Sequence, residues 1–343
     1  MKTAYIYHPV YLAHDLAGHP ENARRLESIM ALLGEQGVLG RLVAVEPRPA
    51  TGAELQRVHT PSYIELVRQV AGRGGGRLDA DTYVSARSYD AACMAAGGLL
   101  AAVDALLAGD IDNGFALLRP PGHHALADRG MGFCLFNNVA LAARHALASP
   151  QVERVLIADF DVHHGNGTQA IFDADPAVFY FSTHQYPFYP GTGHWRETGS
   201  GPGKGTVLDV PLPAGVGDQG YLQIVAELAR PLARRFQPDL ILVSAGYDAH
   251  WQDPLAAMTL SLTGYVQLAR ELIAMAEECC GGKILFTLEG GYHLDVLSHG
   301  VLNTIYALLG ETTVSDPFGS AHLGEPSVLS LVEQLKTLHC LAG

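Results

Sequence analysis

Short apolar runs recur along the chain, and most of them end at a polar segment. Their residues are apolar at consecutive positions instead of alternating with polar ones, which is typical of strands buried on both faces of a parallel sheet. The runs that predict strands are residues 4–7, 42–45, 115–118, 154–158, 178–181, 207–210, 239–243 and 284–288.

Segments with the helical spacing of apolar residues lie between these runs. Thr51, Thr60 and Thr263 precede such segments and are predicted to cap helices. Pro231 is predicted to kink the helix that contains it. The longer helical segments are residues 20–33, 88–107, 138–148, 219–236, 263–280 and a C-terminal amphipathic tail, 326–343.

The order of these elements predicts the fold class. Strands that alternate with helices predict an α/β fold, with a mainly parallel sheet and helices on both faces. Residues 72–86 are rich in Gly and Asp and are predicted to form a long surface loop. No internal repeat or linker interrupts the pattern, so residues 1–343 are predicted to form a single domain.

The most informative change from apolar to polar residues lies within residues 154–167. The strand predicted there is followed at once by Asp159, Asp161 and His163. Because alternate residues of a strand share a face, these side chains can point the same way. Two carboxylates beside an imidazole are costly without a cation, and their oxygen and nitrogen atoms suit a divalent metal. The alternative is a polar loop cap with a structural histidine.

Polar groups also follow three other predicted strands, namely His123-His124, Asp248 and Tyr292. In open α/β sheets the ligand crevice lies outside the carboxyl ends of the strands, so we expect all four polar strand ends at one edge. The alternatives are a polar turn for the histidine pair and a buried aromatic residue for the tyrosine. Their joint position at strand ends favours an active site.

The residue types at this edge predict hydrolytic chemistry. Asp161, His163 and Asp248 make a three-ligand zinc site, whose open fourth position is typical of a catalytic centre. Such a metal lowers the pKa of its water and polarises a carbonyl. The histidine pair supplies a general base and acid. Tyr292 follows two glycines and can donate its hydroxyl to an oxyanion.

The composition of the 343 residues is that of a globular protein, with 48% apolar and 17% charged residues. A net charge of −13 argues against a nucleic-acid partner, and it either attracts a cationic amine or serves solubility alone. Neither a signal peptide nor a membrane-spanning apolar run is predicted. Five cysteines without CxxC spacing predict reduced thiols and a cytoplasmic location.

Six motifs add a family resemblance to this picture. They are HPENARR (19–25), RPPGHHA (119–125), GFCLFNN (132–138), DFDVHHGNGTQ (159–169), SAGYDAHWQDPL (244–255) and LEGGYH (288–293). Together they resemble the zinc-dependent histone deacetylase family and its acetylpolyamine amidohydrolase relatives. The form HHGNG, with Asn166, resembles the class II-like bacterial branch. The resemblance covers about residues 5–310.

The resemblance implies the arginase-deacetylase fold, with an eight-stranded parallel sheet and one catalytic zinc on the three predicted ligands. It implies that His124 is the general base and then the acid, and that His123 is its electrostatic partner. Asp159 would orient His123, and Asn166 would face His124. An uncharged Asn166 should raise the pKa of His124 less than an aspartate would. Tyr292 would polarise the acetyl carbonyl together with zinc.

A substrate tunnel and a second ion also follow from the resemblance. The family usually has Phe at the position of Tyr189, and polyamine-specific members can have Glu at the position of Leu255. Asp81 would accept a substrate N–H at the tunnel rim, and Arg25 would face an acetate channel. The implied tunnel residues are Gly132, Phe133, Tyr189, Leu255, Asp81 and Gly290. The implied structural potassium site comprises Asp159, Asp161, His163, Ser182 and Thr183.

These features predict a zinc-dependent amidohydrolase that releases acetate from acetyl-lysine side chains or related acetylamines. An acetylpolyamine amidohydrolase is the alternative within the family. A dinuclear manganese ureohydrolase would need further carboxylates near the two aspartate motifs, and residues 163–165 and 248–250 lack them. A non-catalytic acetyl-amine binding module would have lost a metal ligand or the tyrosine. The oligomeric state is not indicated.

Overall fold

The computed structural model describes residues 1–341 and builds them around one eight-stranded sheet, with a separate two-stranded hairpin. The strands are β1 (Thr3–Ile6), β2 (Val43–Ala44), β3 (Gly75–Arg77), β4 (Tyr83–Ser85), β5 (Asn113–Ala116), β6 (Val155–Asp159), β7 (Val178–Gln185), β8 (Val207–Leu212), β9 (Leu240–Ala245) and β10 (Ile284–Leu288).

The main sheet has the strand order β2-β1-β5-β10-β9-β6-β7-β8, and each neighbouring pair is parallel. The predicted fold class is therefore confirmed. All residues of the four central strands β5, β10, β9 and β6 are buried, which is why their sequences do not alternate. The same order makes these four strands neighbours, although they are far apart in sequence.

Helices surround the sheet, and several begin where the sequence predicts a cap. Thr51 and Thr60 accept hydrogen bonds from Glu54 N and Tyr63 N in the first turns of their helices. The helices are α1 (Arg24–Glu35), α2 (Gly52–Leu55), α3 (Pro61–Gly72), α4 (Ser88–Ala108), α5 (Asn138–Ala146), α6 (Asn166–Phe172), α7 (Asp218–Ile224), α8 (Arg230–Phe236), α9 (Leu262–Cys280), α10 (Leu294–Leu308) and α11 (Leu329–Leu338).

Two helix boundaries differ from the prediction. Ser261, not Thr263, caps α9, because its hydroxyl oxygen accepts the Gly264 N–H at 2.9 Å. The predicted helix 219–236 is divided by a π-helical turn at Val225–Ala229. Pro231 lies in the first turn of α8, directly after this π-helical turn, and the predicted kink stays a prediction.

Several elements were not recognised, among them α6. Residues 72–86 contain the antiparallel pair β3–β4, which the glycine-rich sequence does not indicate. Helix α10 follows the last central strand and is buried along most of its length, so it lacks the polar face of an amphipathic helix. The predicted tail helix is realised as α11, while residues 342 and 343 lie outside the described part of the chain.

Helix α4 has the length and apolar composition of a membrane span, and among the described residues it is the one helix that does. In the fold it packs against α5, and 67% of its most apolar window is buried inside the protein. Its apolar character is therefore accounted for by its position in the core.

Candidate active site

The four polar strand ends meet at one edge of the sheet, because β5, β10, β9 and β6 are consecutive neighbours there. Side chains from all four strand ends approach the same point. Asp161 and His163 follow β6, Asp248 follows β9, the histidine pair follows β5, and Tyr292 follows β10. The sequence therefore predicted correctly which strand ends come together.

Asp161, His163 and Asp248 bring three potential metal-ligand atoms within 4.8 Å of one another. His163 Nδ1 lies 3.1 Å from Asp161 Oδ1 and 3.3 Å from Asp248 Oδ2. Ligand atoms 2.0–2.2 Å from a tetrahedral zinc ion are about 3.3–3.6 Å apart, so one of the two distances falls in this range and the other is about 0.2 Å shorter. Asp248 Oδ2 is buried and accepts no hydrogen bond, as expected of an oxygen that binds a cation.

Backbone groups hold the two carboxylates in place. Gly290 N–H donates to Asp161 Oδ2 at 2.7 Å, and Val162 N–H donates to Asp248 Oδ1 at 3.0 Å. A Cβ atom on Gly290 would lie 2.1 Å from Asp248 Oδ2, and one on Gly246 would lie 2.2 Å from Asp161 Oδ2. Glycine is therefore required at both positions for the backbone to approach the carboxylates.

The two histidines of the pair have different partners. His123 Nδ1 lies 3.0 Å from Asp159 Oδ2, and His124 Nδ1 lies 2.8 Å from Asn166 Oδ1. Burial opposes a charge on His123, but the negative charges of Asp159 and Asp161 outweigh it and raise its pKa to about 10.

His124 has the opposite electrostatic environment. Burial, reinforced by the nearby charges of His123 and His163, holds the pKa of its imidazole well below the usual range. The hydrogen bond to Asn166 raises this pKa, but by less than burial and the two charges lower it. The pair therefore combines a charged imidazole with a neutral one, 4.0 Å apart between ring centroids.

A cavity of about 230 Å³ opens onto these groups. The histidine pair, His163 and Tyr292 form its inner part. All of the predicted tunnel residues line it, namely Asp81, Gly132, Phe133, Tyr189, Leu255 and Gly290.

The wall formed by Gly132 and Phe133 has an unusual backbone. Both residues have positive φ angles, of 54° and 69°. A Cβ atom on Gly132 would lie 2.3 Å from His124 Cδ2, so only glycine fits. Phe133 accepts the strain of a left-handed conformation, and its N–H donates to Thr82 Oγ1 at 3.1 Å.

Two residues hold Tyr292 in place. The sequence predicted one of them, Arg25, as part of an acetate channel, and the other, Asp253, was not predicted. Arg25 is fully buried, places its guanidinium 5.1 Å from the centre of the tyrosine ring, and donates to Gly291 O at 2.8 Å. Asp253 accepts the Tyr292 N–H at 2.7 Å. Burial raises the pKa of the Tyr292 phenol well above its usual range, so the hydroxyl is protonated.

Glu289 is a second residue that was missed. Its Oε2 atom accepts the N–H groups of Gly122 and His123 at 2.7 and 3.2 Å. Its Oε1 atom accepts the Ser244 hydroxyl at 3.0 Å. Burial raises the pKa of this carboxyl to about 7. Its place between a central strand and a glycine pair was the available signal, but that position does not reveal which donors it accepts.

The residues of the predicted potassium site lie on β6 and β7 and just beyond β6. Asp159 pairs with Ser182 across the two strands. The Ser182 hydroxyl is hydrogen-bonded to His184 Nδ1 at 2.9 Å, while the Thr183 hydroxyl is buried without a partner.

Comparisons with known proteins agree on one family. Residues 19–308 match a family model described as the histone deacetylase domain. A probable deacetylase of Archaeoglobus fulgidus is 40% identical over 314 residues, which cover 90% of this chain and 87% of that protein. A histone deacetylase-like amidohydrolase of Pseudomonas aeruginosa is 41% identical over 306 residues, which cover 88% of this chain and 80% of that protein.

A human relative and a solved structure extend the comparison. The human polyamine deacetylase HDAC10 is 39% identical over 329 residues, which cover 91% of this chain and 48% of that protein. A crystal structure of the HDA15 HD domain matches with a TM-score of 0.91 and 38% identity, covering 99% of this chain and 95% of that chain.

Proposed function

The chain belongs to the histone deacetylase domain family, and from this premise we propose that it hydrolyses acetylated amines to acetate and the free amine with the help of zinc. One observation carries the proposal. The histidine pair, a protonated tyrosine and His163 of the metal-ligand trio all line one cavity, and Asp161 and Asp248 are grouped with His163.

A zinc ion held by Asp161, His163 and Asp248 would lower the pKa of a water molecule and polarise the acetyl carbonyl. His124, kept neutral by its surroundings, takes a proton from the attacking water and later gives one to the leaving amine. His123, charged against Asp159, supplies positive charge beside the reacting atoms. Tyr292 donates its hydroxyl to the oxyanion that forms during the attack.

The donor set argues against the two other functions. In the described part of the chain, the second cluster of potential ligands is His123, Cys134 and Glu289, which offers one carboxylate where a dinuclear ureohydrolase needs several. His250 stacks on Trp251 instead of reaching the trio. A binding module would not need a neutral imidazole and a tyrosine hydroxyl facing the same cavity.

For the substrate, we propose that acetyl-lysine in peptides is processed at least as well as acetylpolyamines. The apolar Leu255 at the cavity supports this choice, because position 255, where polyamine-specific members can have Glu, offers no carboxylate to an ammonium group; Asp81 lines the same cavity. Acetylpolyamines are the second candidate substrate, because one human relative is named as a polyamine deacetylase.

Three ancillary parts of the proposal concern ion binding, location and an acetate channel. A structural potassium ion near Ser182 and Thr183 is supported by the buried Thr183 hydroxyl, which has no hydrogen-bond partner. A reducing cytoplasmic location is supported by cysteines that are all free in the described chain. An acetate-release channel beside Arg25 also remains a proposal. The Arg25 guanidinium donates hydrogen bonds to the main-chain oxygens of residues 289 and 291.

The test is metal analysis of the purified protein with an acetate-release assay on an acetyl-lysine peptide and on acetylspermidine. We expect one zinc per chain, loss of activity with a chelator and recovery on adding zinc. Zinc-loaded protein that releases acetate from neither substrate would contradict the proposed function.

A further inference from the structure

Two polar residues with partly exposed side chains line the cavity. Asp81 and Tyr189 both line it, and 36% of the tyrosine surface is exposed. The Tyr189 ring stands perpendicular to that of His124, with centroids 5.2 Å apart, and its edge lies against Gly132. The ring thus forms part of the cavity wall, and part of the residue is exposed.

Both residues reach the wall formed by Gly132 and Phe133. Tyr189 Cε1 would lie 3.1 Å from a Cβ atom on Gly132, and Thr82, which donates to Asp81, accepts the Phe133 N–H. Burial, followed by the negative charge of Asp81, raises the pKa of Tyr189 above its usual value. A raised pKa keeps the phenol protonated, so it remains a hydrogen-bond donor in a cavity whose lining also offers the Asp81 carboxylate as an acceptor.

The loop that carries Asp81 is ordered by its own hydrogen bonds. Asp79 Oδ1 accepts the N–H groups of Asp81 and Thr82 at 3.1 and 2.7 Å. The Thr82 hydroxyl donates to Asp81 Oδ1 at 3.1 Å and accepts the Phe133 N–H. The acceptor at the rim is therefore held in place before a substrate arrives, which reduces the entropy lost on binding.

We propose that Tyr189 is a specificity-determining residue, whose hydroxyl donates to a main-chain carbonyl of the substrate next to the N–H that the family resemblance already assigns to Asp81. A donor beside an acceptor matches a peptide unit, which offers both groups. An acetylpolyamine has amine and ammonium donors for Asp81 but no carbonyl outside its acetyl group. The pair therefore selects acetyl-lysine within a polypeptide. This inference rests on the proposed deacetylase function.

The experiment compares Tyr189→Phe with the wild type on three substrates: an acetyl-lysine peptide, acetylspermidine and N-acetylbutylamine. Losing one hydrogen bond should lower kcat/KM for the peptide about 3- to 10-fold. The loss should come mainly from KM, because the bond is present in both ground and transition states. The values for the other two substrates should stay within about twofold, because these substrates lack the carbonyl.

Tyr186→Phe is the matched control, because it removes a hydroxyl from the same loop outside the cavity lining. It should leave all three values unchanged. Equal losses on the three substrates, or no loss on the peptide, would overturn the role of Tyr189 while the wild-type rates still support a deacetylase. Absence of wild-type activity on every substrate would instead defeat the proposed function, and the inference with it.

Discussion

At the inner end of the cavity, Asp161 and Asp248 are buried at strand ends and receive hydrogen bonds from the main chain. At the rim, Asp81 and Tyr189 lie in loops and are partly exposed. The inner groups cannot move without disturbing the sheet, whereas the rim groups can change with little effect on the core. We therefore expect inner substitutions to abolish the reaction and rim substitutions to alter substrate choice.

The largest effect is expected from Asp161→Ala or Asp248→Ala. Each change removes one of three metal ligands and leaves a pair that binds zinc weakly. Zinc content and activity should both fall to background, as measured by metal analysis and acetate release. Asp110→Ala, at an exposed helix end, is the control. Stoichiometric zinc in either ligand variant would show that the site is misassigned.

Tyr292→Phe should give the next largest effect. The ring still packs against Phe133 and near Arg25, so the fold, the metal and much of the substrate affinity should be kept. Losing one oxyanion donor typically lowers kcat by about 10²–10³-fold. This loss of kcat is measured by steady-state kinetics on an acetyl-lysine peptide. A kcat within about threefold of wild type would remove the hydroxyl from the mechanism.

Asp253→Ala should have a smaller effect, which acts through Tyr292. The Tyr292 N–H would lose its acceptor, and a misplaced phenol should lower kcat about 10- to 100-fold. A buried unpaired N–H also costs about 1–3 kcal/mol, so the melting temperature should fall. Asp253→Asn keeps one acceptor oxygen for Tyr292 but sets its NH2 group against the Leu255 N–H, so it should recover part of kcat. Equal kcat values for the two variants would show that this hydrogen bond does not position the tyrosine.

The smallest effect is expected at the rim. Leu255→Glu adds a partly exposed carboxylate to the cavity, where it can pair with an ammonium group of acetylspermidine. Exposed ion pairs of this kind contribute about 0.2–1 kcal/mol. The ratio of kcat/KM for acetylspermidine to that for an acetyl-lysine peptide should rise about two- to fivefold, with the zinc content unchanged. Leu255→Gln has a similar size without charge and serves as control. A wild-type preference for acetylspermidine of about 100-fold would contradict the proposed substrate.

The metal-ligand trio, the histidine pair and Tyr292 were predictable from the sequence. Many of the residues that hold them in place were not. Strand β10 begins and ends where its apolar run predicted, and the polar residues that follow such runs identify the site edge. Glu289 and Asp253 were missed because they accept N–H groups from distant loops, and a local pattern does not specify the distant donor. The β3–β4 hairpin was missed because glycines carry no apolar pattern.

The position of β10 has a consequence for how the protein is made. This strand lies between β5 and β9, and Ile284 pairs with both Asn113 and Ile241. A ribosome-bound chain that has not yet reached β10 already contains all three predicted metal ligands. It nevertheless has two open strand edges and lacks the Gly290 N–H that holds Asp161. Because such distant pairing is slow, newly synthesised chains should become active only after this last central strand has inserted, and until then their open edges are exposed to aggregation.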